Sequence, residues 1–468
     1  MPSDAIEPPL SEDEVAALRD AVARRFGETV AELSALVAVP GIAWPAFPSA
    51  ELERSAQEVL RLVRAAGFED AEILRAPLAD GTLGGPAVVA SRPAHPGQPT
   101  VLLYAHHDVQ PPGDLELWDS EPFIATERGD RLYGRGAADD KAGLLVHLGA
   151  CRAVQEVLGE RSGVGVTLFI EGEEEAGSPS FRSFLDTYRD RLAADVIVVA
   201  DSSNWSVGQP ALTTSLRGLV DGTFEVSVLE HAVHSGVFGG PVLDAPTLLA
   251  RLIATLHDEE GNVAVAGLAA GDDPDVDYPE DQYRRDAGVL DGVRLAGSGS
   301  VAARLWARPA LSIIGIDVPS VAVASNTIQP RARAKFSLRL APGQDPAAAM
   351  DALRRHVEHH APFGARVTFT PGEQGSAYLA DTDSAAARTV LWALAAAWGV
   401  PAVRTGMGGS IPFIADLKEV FPEADVLITG VEDPDSRAHS ANESLHLGDF
   451  EKCIAAEALL LAGLGRAV

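Results

Sequence analysis

Residues 100–110 read TVLLYAHHDVQ. An apolar run of strand length stops abruptly at two imidazoles and a carboxylate, the pattern of a buried strand that hands polar side chains to the edge of a sheet. Three more runs share that make-up: Val164–Ile170 (VGVTLFI), Val196–Ala200 (VIVVA) and Ala424–Thr429 (ADVLIT). Helical patterns lie between them, Ala142–Leu158 (AGLLVHLGACRAVQEVL) being one, and they suit crossover connections. These runs predict an α/β fold with a mostly parallel central sheet and helices on both faces.

From about Leu216 to Thr370 the grammar changes. A strand-like run at Leu219–Val228 precedes a helical stretch at Ala245–Leu256. A second strand at Ala332–Leu340 precedes a helix at Asp345–His360 and a last strand at Arg366–Thr370. That predicts a small α+β, ferredoxin-like insert with its helices on one face of an antiparallel sheet. The helix predicted at Ser384–Trp398 and the run at Val426–Thr429 resume the earlier style. The expected organisation is one discontinuous main domain, residues 1–215 and 372–468, interrupted by an insert at 216–371. The acidic stretch Gly271–Asp286 lacks the regular ligand spacing of a calcium loop and reads as a solvated loop.

Composition narrows the function. A chain of 468 residues exceeds the size at which one core stops growing, and 46% hydrophobic residues leave enough apolar material for two. The 37 basic and 67 acidic residues give a formal net charge of -30, which repels nucleic acid and anionic membranes alike. Cys151 and Cys453, the only cysteines, are too few for a disulfide framework or a thiolate metal site. Residues 1–10 carry no basic segment followed by an apolar one, and no apolar run reaches membrane-spanning length, so the expected address is the cytoplasm.

In open α/β sheets, ligands bind outside the carboxyl ends of the strands. His106 and Asp108 close the first run, a cluster of Glu173, Glu174 and Glu175 follows the second, Asp201 follows the third, and His439 lies in the loop after the fourth. Side chains two apart on a strand share a face, so His106 and Asp108 point together while His107 points away. A carboxylate beside a metal-bound imidazole fixes its tautomer, which favours His106 as a ligand and leaves His107 structural. Adjacent Asp139 and Asp140, in LYGRGAADDKAG (132–143), precede a helix where an ordinary acidic start would also place them. Acids and imidazoles from four strands at one sheet edge predict a metal site, and a set of His and carboxylates without thiolate suits zinc, with manganese or cobalt as alternatives.

These ordered motifs resemble the co-catalytic zinc peptidases that include carnosinase, the cytosolic nonspecific dipeptidases, carboxypeptidase G, aminoacylase and succinyl-diaminopimelate desuccinylase. The stretches HSGVFGG (234–240) and KFSLRL (335–340) are most similar to the carnosinase and nonspecific dipeptidase branch. The resemblance implies two zinc ions per subunit, with His106 and Asp201 on one ion, Glu175 and His439 on the other, and Asp139 as the bridge, its peptide bond to Asp140 cis. It further implies Glu174 as general base and Asp108 as the acid that orients His106. From an insert acting as lid and dimerisation domain, it implies His234 as a donor to the oxyanion in the partner subunit and Arg339 as the clamp on the substrate carboxylate. Ser410 and Thr327 are the remaining substrate contacts it offers. Residues Thr405–Met407 (TGM) depart from the charged pair that related dipeptidases commonly carry before the Ser410 loop.

The function so implied is hydrolysis of dipeptides bearing a free C-terminal carboxylate by a homodimeric enzyme. An N-acyl or N-succinyl amino acid amidohydrolase would keep every metal residue and differ only in its pocket. A non-catalytic binding protein of this fold would be expected to have lost a ligand or the base, and none of His106, Asp139, Glu174, Glu175, Asp201 or His439 is missing.

Overall fold

The computed structural model describes residues 8–274, 276–408 and 412–466. The chain divides into two compact units. Met1–Thr214, Ala380–Thr405 and Asp416–Val468 form the first, and Ser215–Leu379 with Gly406–Ala415 form the second.

The four apolar runs become the middle of the first unit's sheet. Their spatial order is Gly165–Glu171, Thr100–His106, Val196–Val199 and Asp425–Ile428, each parallel to its neighbour. Ala87–Arg92, itself paired to Glu72–Leu74, joins antiparallel beside Gly165–Glu171, and Ala211–Leu216 joins antiparallel beside Asp425–Ile428. These middle strands are buried along almost their whole length because both faces are covered, which is why they read as continuous apolar runs. On one face, helix Lys141–Val157 packs against Glu12–Val37 and Leu447–Leu464. On the other, Tyr104 and Phe169 meet Phe181 of the helix Phe181–Thr187, and Phe169 also stacks on its Phe184 at 4.8 Å.

Strand order fixes where a site forms. From Thr100–His106 the chain crosses to Gly165–Glu171 on one side, then returns past it to Val196–Val199 on the other. The carboxyl end of Thr100–His106 is therefore the switch point of the sheet, where connections diverge and leave a crevice.

The second unit has the order strand, helix, strand, strand, helix, strand. Its antiparallel sheet runs Ala310–Asp317, Arg331–Leu340, Gly218–Ser227, Arg366–Gly375. Both central strands alternate buried and less buried residues, so one face is apolar, and helices Ala245–Ala254 and Pro346–His359 pack on the sheet. Phe224, Phe336, Leu338, Leu248 and Leu353 lie at its core. Asp244 and Asp345 start the two helices, accepting from the backbone N–H groups of Thr247 and Ala348. This is the ferredoxin-like arrangement expected of the insert.

Two features depart from the sequence reading. The chain opens with two helices not expected there, Glu12–Val37 and Ser49–Ala65, the first begun by a capping box between Ser11 and Glu14. The acidic stretch expected to be a loop ends in a helix, Glu280–Asp286, whose Arg284 and Arg285 pair with Glu280 and Asp281 one turn back. Among the described residues, no helix is long and apolar enough to cross a membrane.

Candidate metal centre

His106 is the last residue of its strand and is fully buried. Its Nε2 lies 3.1 Å from Asp139 Oδ1, and its Nδ1 lies 3.1 Å from the Asp108 carbonyl and 3.3 Å from Asp108 Oδ1. The strand ends before Asp108, so alternation does not place that residue. A loop does, and it turns the carboxylate to a further use, since Asp108 accepts the backbone N–H groups of Glu174 and Glu175, each at 3.1 Å. His107 turns away, with Nδ1 3.1 Å from Ser55 Oγ and Nε2 2.9 Å from the Pro86 carbonyl. Burial pushes its pKa down to about 4, so it stays neutral. Gly172 is required beside it, since a Cβ there would meet the Pro86 carbonyl at 2.3 Å and His107 Nε2 at 2.6 Å.

The three glutamates part company within one turn. Glu173 folds back, accepting from Gly85 N at 2.5 Å, from Ser180 N at 2.9 Å and from the Ser180 hydroxyl. Glu174 joins His106 and Asp201, offering donor atoms that all lie within 4.8 Å of one another. Glu175 joins Asp139 and His439 in a second such group. His439 Nε2 is 3.0 Å from Asp139 Oδ2 and 3.3 Å from Glu175 Oε2, while Asp139 Oδ1 faces His106 of the first group. Asp139 thus touches both groups. Its peptide bond to Asp140 is cis, and His439 is held at φ +62°, a region few side chains adopt.

The charge balance explains what this crowding is for. Four carboxylates and two imidazoles occupy a site where burial alone would favour the neutral form of each. Burial, then Asp139 and Glu175, push Asp201 up to about 7 against the pull of His106. Burial, with Asp201, Asp108 and Glu171 adding, pushes Glu174 up to about 9 against the same pull. For Asp139 burial acts upward too, but the hydrogen bonds from His106 and His439 outweigh it and hold it below the usual carboxylate range. The bonds to Asp139 and Glu175 push His439 up to about 11. Crowding of this kind favours a bound positive charge, and two divalent ions would relieve the repulsion among the acids. The donor set, all imidazole nitrogen and carboxylate oxygen, fits zinc, manganese or cobalt.

A pH dependence follows from those directions. In the metal-free protein His439 keeps its proton up to about 11, and His106 is also raised well above its ordinary value, burial being outweighed by hydrogen bonds to Asp108 and Asp139. An incoming ion must displace these protons. Apparent metal affinity is thus expected to weaken by about tenfold per unit fall in pH for each proton displaced. Competition with a chelator between about pH 6 and pH 9, with proton release read by calorimetry, measures this. A flat affinity across that window would refute the assignment of His439.

The remaining expected residues belong to the second unit. His234 and Thr327 face each other across a two-stranded pair, Val233–His234 with Thr327–Ile328. His234 is exposed, and its Nδ1 accepts the Gly236 N–H at 3.0 Å, which leaves the proton of the neutral ring on Nε2. Arg339 is half-buried in the strand Arg331–Leu340. Ser410 lies outside the described residues. Sequence reasoning missed Arg217 in SLRGL, a buried guanidinium whose Nε donates to the Gly408 carbonyl at 3.2 Å; burial and Arg339 push it down to about 10. In the first unit it missed Gln110, whose side chain donates to Glu175 Oε2 at 2.6 Å, and Trp44, whose indole N–H donates to the Glu175 carbonyl at 3.2 Å. Gln110 stands in the quoted YAHHDVQ, but nothing in the sequence marks Trp44.

A model of peptidase family M20/M25/M40 matches residues 102–462. Over 373 residues the chain is 36% identical to a cysteinylglycine-S-conjugate dipeptidase of Corynebacterium striatum, covering 79% of this chain and 82% of that protein. Over 389 residues it is 29% identical to a Beta-Ala-His dipeptidase of Rattus norvegicus, covering 78% and 77%. Among solved structures, the di-peptidase Dug1p of Saccharomyces cerevisiae shares the fold with a TM-score of 0.75 at 22% identity, over 97% of this chain and 99% of that one. Human carnosine dipeptidase 1 shares it with a TM-score of 0.74 at 24% identity, over 96% and 98%.

Proposed function

The chain belongs to peptidase family M20/M25/M40, and from that premise we propose that it is a dipeptidase working with two zinc ions per subunit. The observation that carries this is the pair of donor groups, His106 with Glu174 and Asp201, and Asp139 with Glu175 and His439, joined through Asp139. Bound zinc would supply Lewis acidity, lowering the pKa of the attacking water and polarising the scissile carbonyl. His106 and Asp201 would hold one ion, Glu175 and His439 would hold the other, and Asp139, which touches both groups, would serve both. Glu174 takes the proton of the attacking water and returns it to the leaving amine. Asp108 holds His106 in one tautomer and pins the turn that carries both glutamates.

The second unit is taken as an inserted lid and dimerisation part between two stretches of the catalytic one. Arg339 would clamp the substrate carboxylate bidentately, with Thr327 and Ser410 as further contacts. A homodimer is supported by the strand Ala310–Asp317, an edge of its sheet that exposes Ile314 at 56% and Ile316 at 51%, an apolar edge that a second copy would cover. A cytoplasmic address is supported by Cys151 and Cys453, both buried free thiols.

The test is a panel of Cys-Gly, S-substituted Cys-Gly, β-Ala-His and N-acyl amino acids, assayed before and after chelation and after zinc is restored. Free dipeptides are expected to be hydrolysed, the activity lost on chelation and regained with zinc. A preference for N-acyl amino acids would replace the dipeptidase reading with an amidohydrolase.

A further inference from the structure

Two buried charges near the centre have no place in the chemistry above. Arg135 precedes Asp139 in GRGAADD, and Glu443 follows His439 in HSANE. Their side chains are 1% and 0% exposed and meet at 2.6 Å. The Glu443 carboxylate accepts from Arg135 Nη1 and from three backbone N–H groups: Gly136 at 3.0 Å, Ala138 at 3.0 Å and Asp139 itself at 3.1 Å. That fills the acceptor capacity of a carboxylate. Arg135 Nη2 donates onward to the carbonyls of Ser440 at 3.2 Å and Pro111 at 3.5 Å, and the Gly134 N–H donates to the Glu443 carbonyl at 3.0 Å. The loop that delivers Asp139 is therefore fastened directly to the loop that delivers His439.

An ion pair taken out of water gains little net stability, because desolvation offsets most of the attraction. Stability is thus a poor reason for burying this one, and its other bonds point to a better reason. They go to the backbone of the two ligand-bearing loops, down to the amide of the bridging residue. Ligand distances in a metal site tolerate only about 0.2 Å of error. We propose that the Arg135–Glu443 pair is a positioning clasp for the metal centre, setting the spacing between Asp139 and His439 and so the affinity for the ion they share.

The proposal rests on the dinuclear reading, and its test separates the two. Zinc affinity is measured by chelator competition, and ligand geometry by the visible absorption of the cobalt-substituted protein. Both are read for wild type, Glu443→Gln and Arg135→Lys, with thermal unfolding of each chelated protein as the control for fold. Glu443→Gln turns an amide N–H against the backbone donors. Arg135→Lys keeps the buried charge paired but loses the fork that reaches Ser440. Each variant is expected to fold, to bind zinc about 10- to 100-fold more weakly, and to show a changed cobalt spectrum. Folded variants with wild-type affinity and spectrum would overturn the clasp, as would loss of fold in both at saturating zinc, since the pair would then be holding the core. A wild type that binds no metal would overturn the dinuclear reading instead.

Discussion

Glu174→Gln protein is expected to bind two metal ions per chain and to turn over dipeptides about a hundred-fold to ten-thousand-fold more slowly than the wild type. The substitution keeps the side chain's shape and replaces the proton-accepting carboxylate with a neutral amide. In the metal-free chain, burial holds Glu174 up to about 9, so at neutral pH it carries a proton and is no base. A divalent ion held beside it would favour the charged carboxylate, the form that can act as a base. Retention of metal is the decisive half of the result, because Glu174 stands among the donors of the first group. Glu175→Gln, in contrast, is expected to lose affinity for the ion shared with Asp139 and His439. Elemental analysis beside kcat tests both variants, and metal lost from Glu174→Gln but not from Glu175→Gln would reverse the two roles.

His234→Ala is the second large effect, with kcat expected to fall by about 10²- to 10³-fold, the scale of one lost oxyanion donor. The motivating geometry is the Gly236 N–H on Nδ1, which places the donor of the neutral imidazole on Nε2 of an exposed side chain. We propose that this proton is presented to the tetrahedral oxyanion in the partner subunit of a two-fold dimer. Metal content and dimer mass should be unchanged. Mixing His234→Ala subunits with Glu174→Gln subunits then gives heterodimers in which one site carries both defects and the other neither. Activity should climb toward half the wild-type value per dimer. Mixtures that exchange subunits and stay inactive would leave His234 with a structural role, its bond to the Gly236 N–H.

The sheet and its polar edge are legible in the sequence because both rest on short-range pattern. A strand buried on both faces has to be apolar throughout, so its end shows as a sudden His, Glu or Asp. The choice among Glu173, Glu174 and Glu175 is not legible. It is made by Gly85 and Ser180, which capture Glu173, and no local pattern reports that partnership. Asp108 neighbours His106 as expected, though not through strand alternation, the strand having already ended. Its hold on the glutamate turn depends on a register between strands distant in sequence. The first helix has a readable start signal in Ser11 and Glu14, three residues apart ahead of an amphipathic run. Arg217 carries none, for its burial comes from the second unit's tertiary packing.

The strand Asp425–Ile428 lies inside the sheet, between Val196–Val199 and Ala211–Leu216, although the chain supplies it last. During synthesis the slot between the unpaired edges of those two strands therefore stays open while the whole second unit is made and can fold. Unpaired strand edges are templates for pairing with other chains, so the nascent chain is exposed to aggregation at this stage. His439 arrives with the same final segment, just after that strand. Closure of the sheet and completion of the ligand set are consequently one event, and a nascent chain lacks a full ligand set until Asp425–Ile428 and the loop after it have been made.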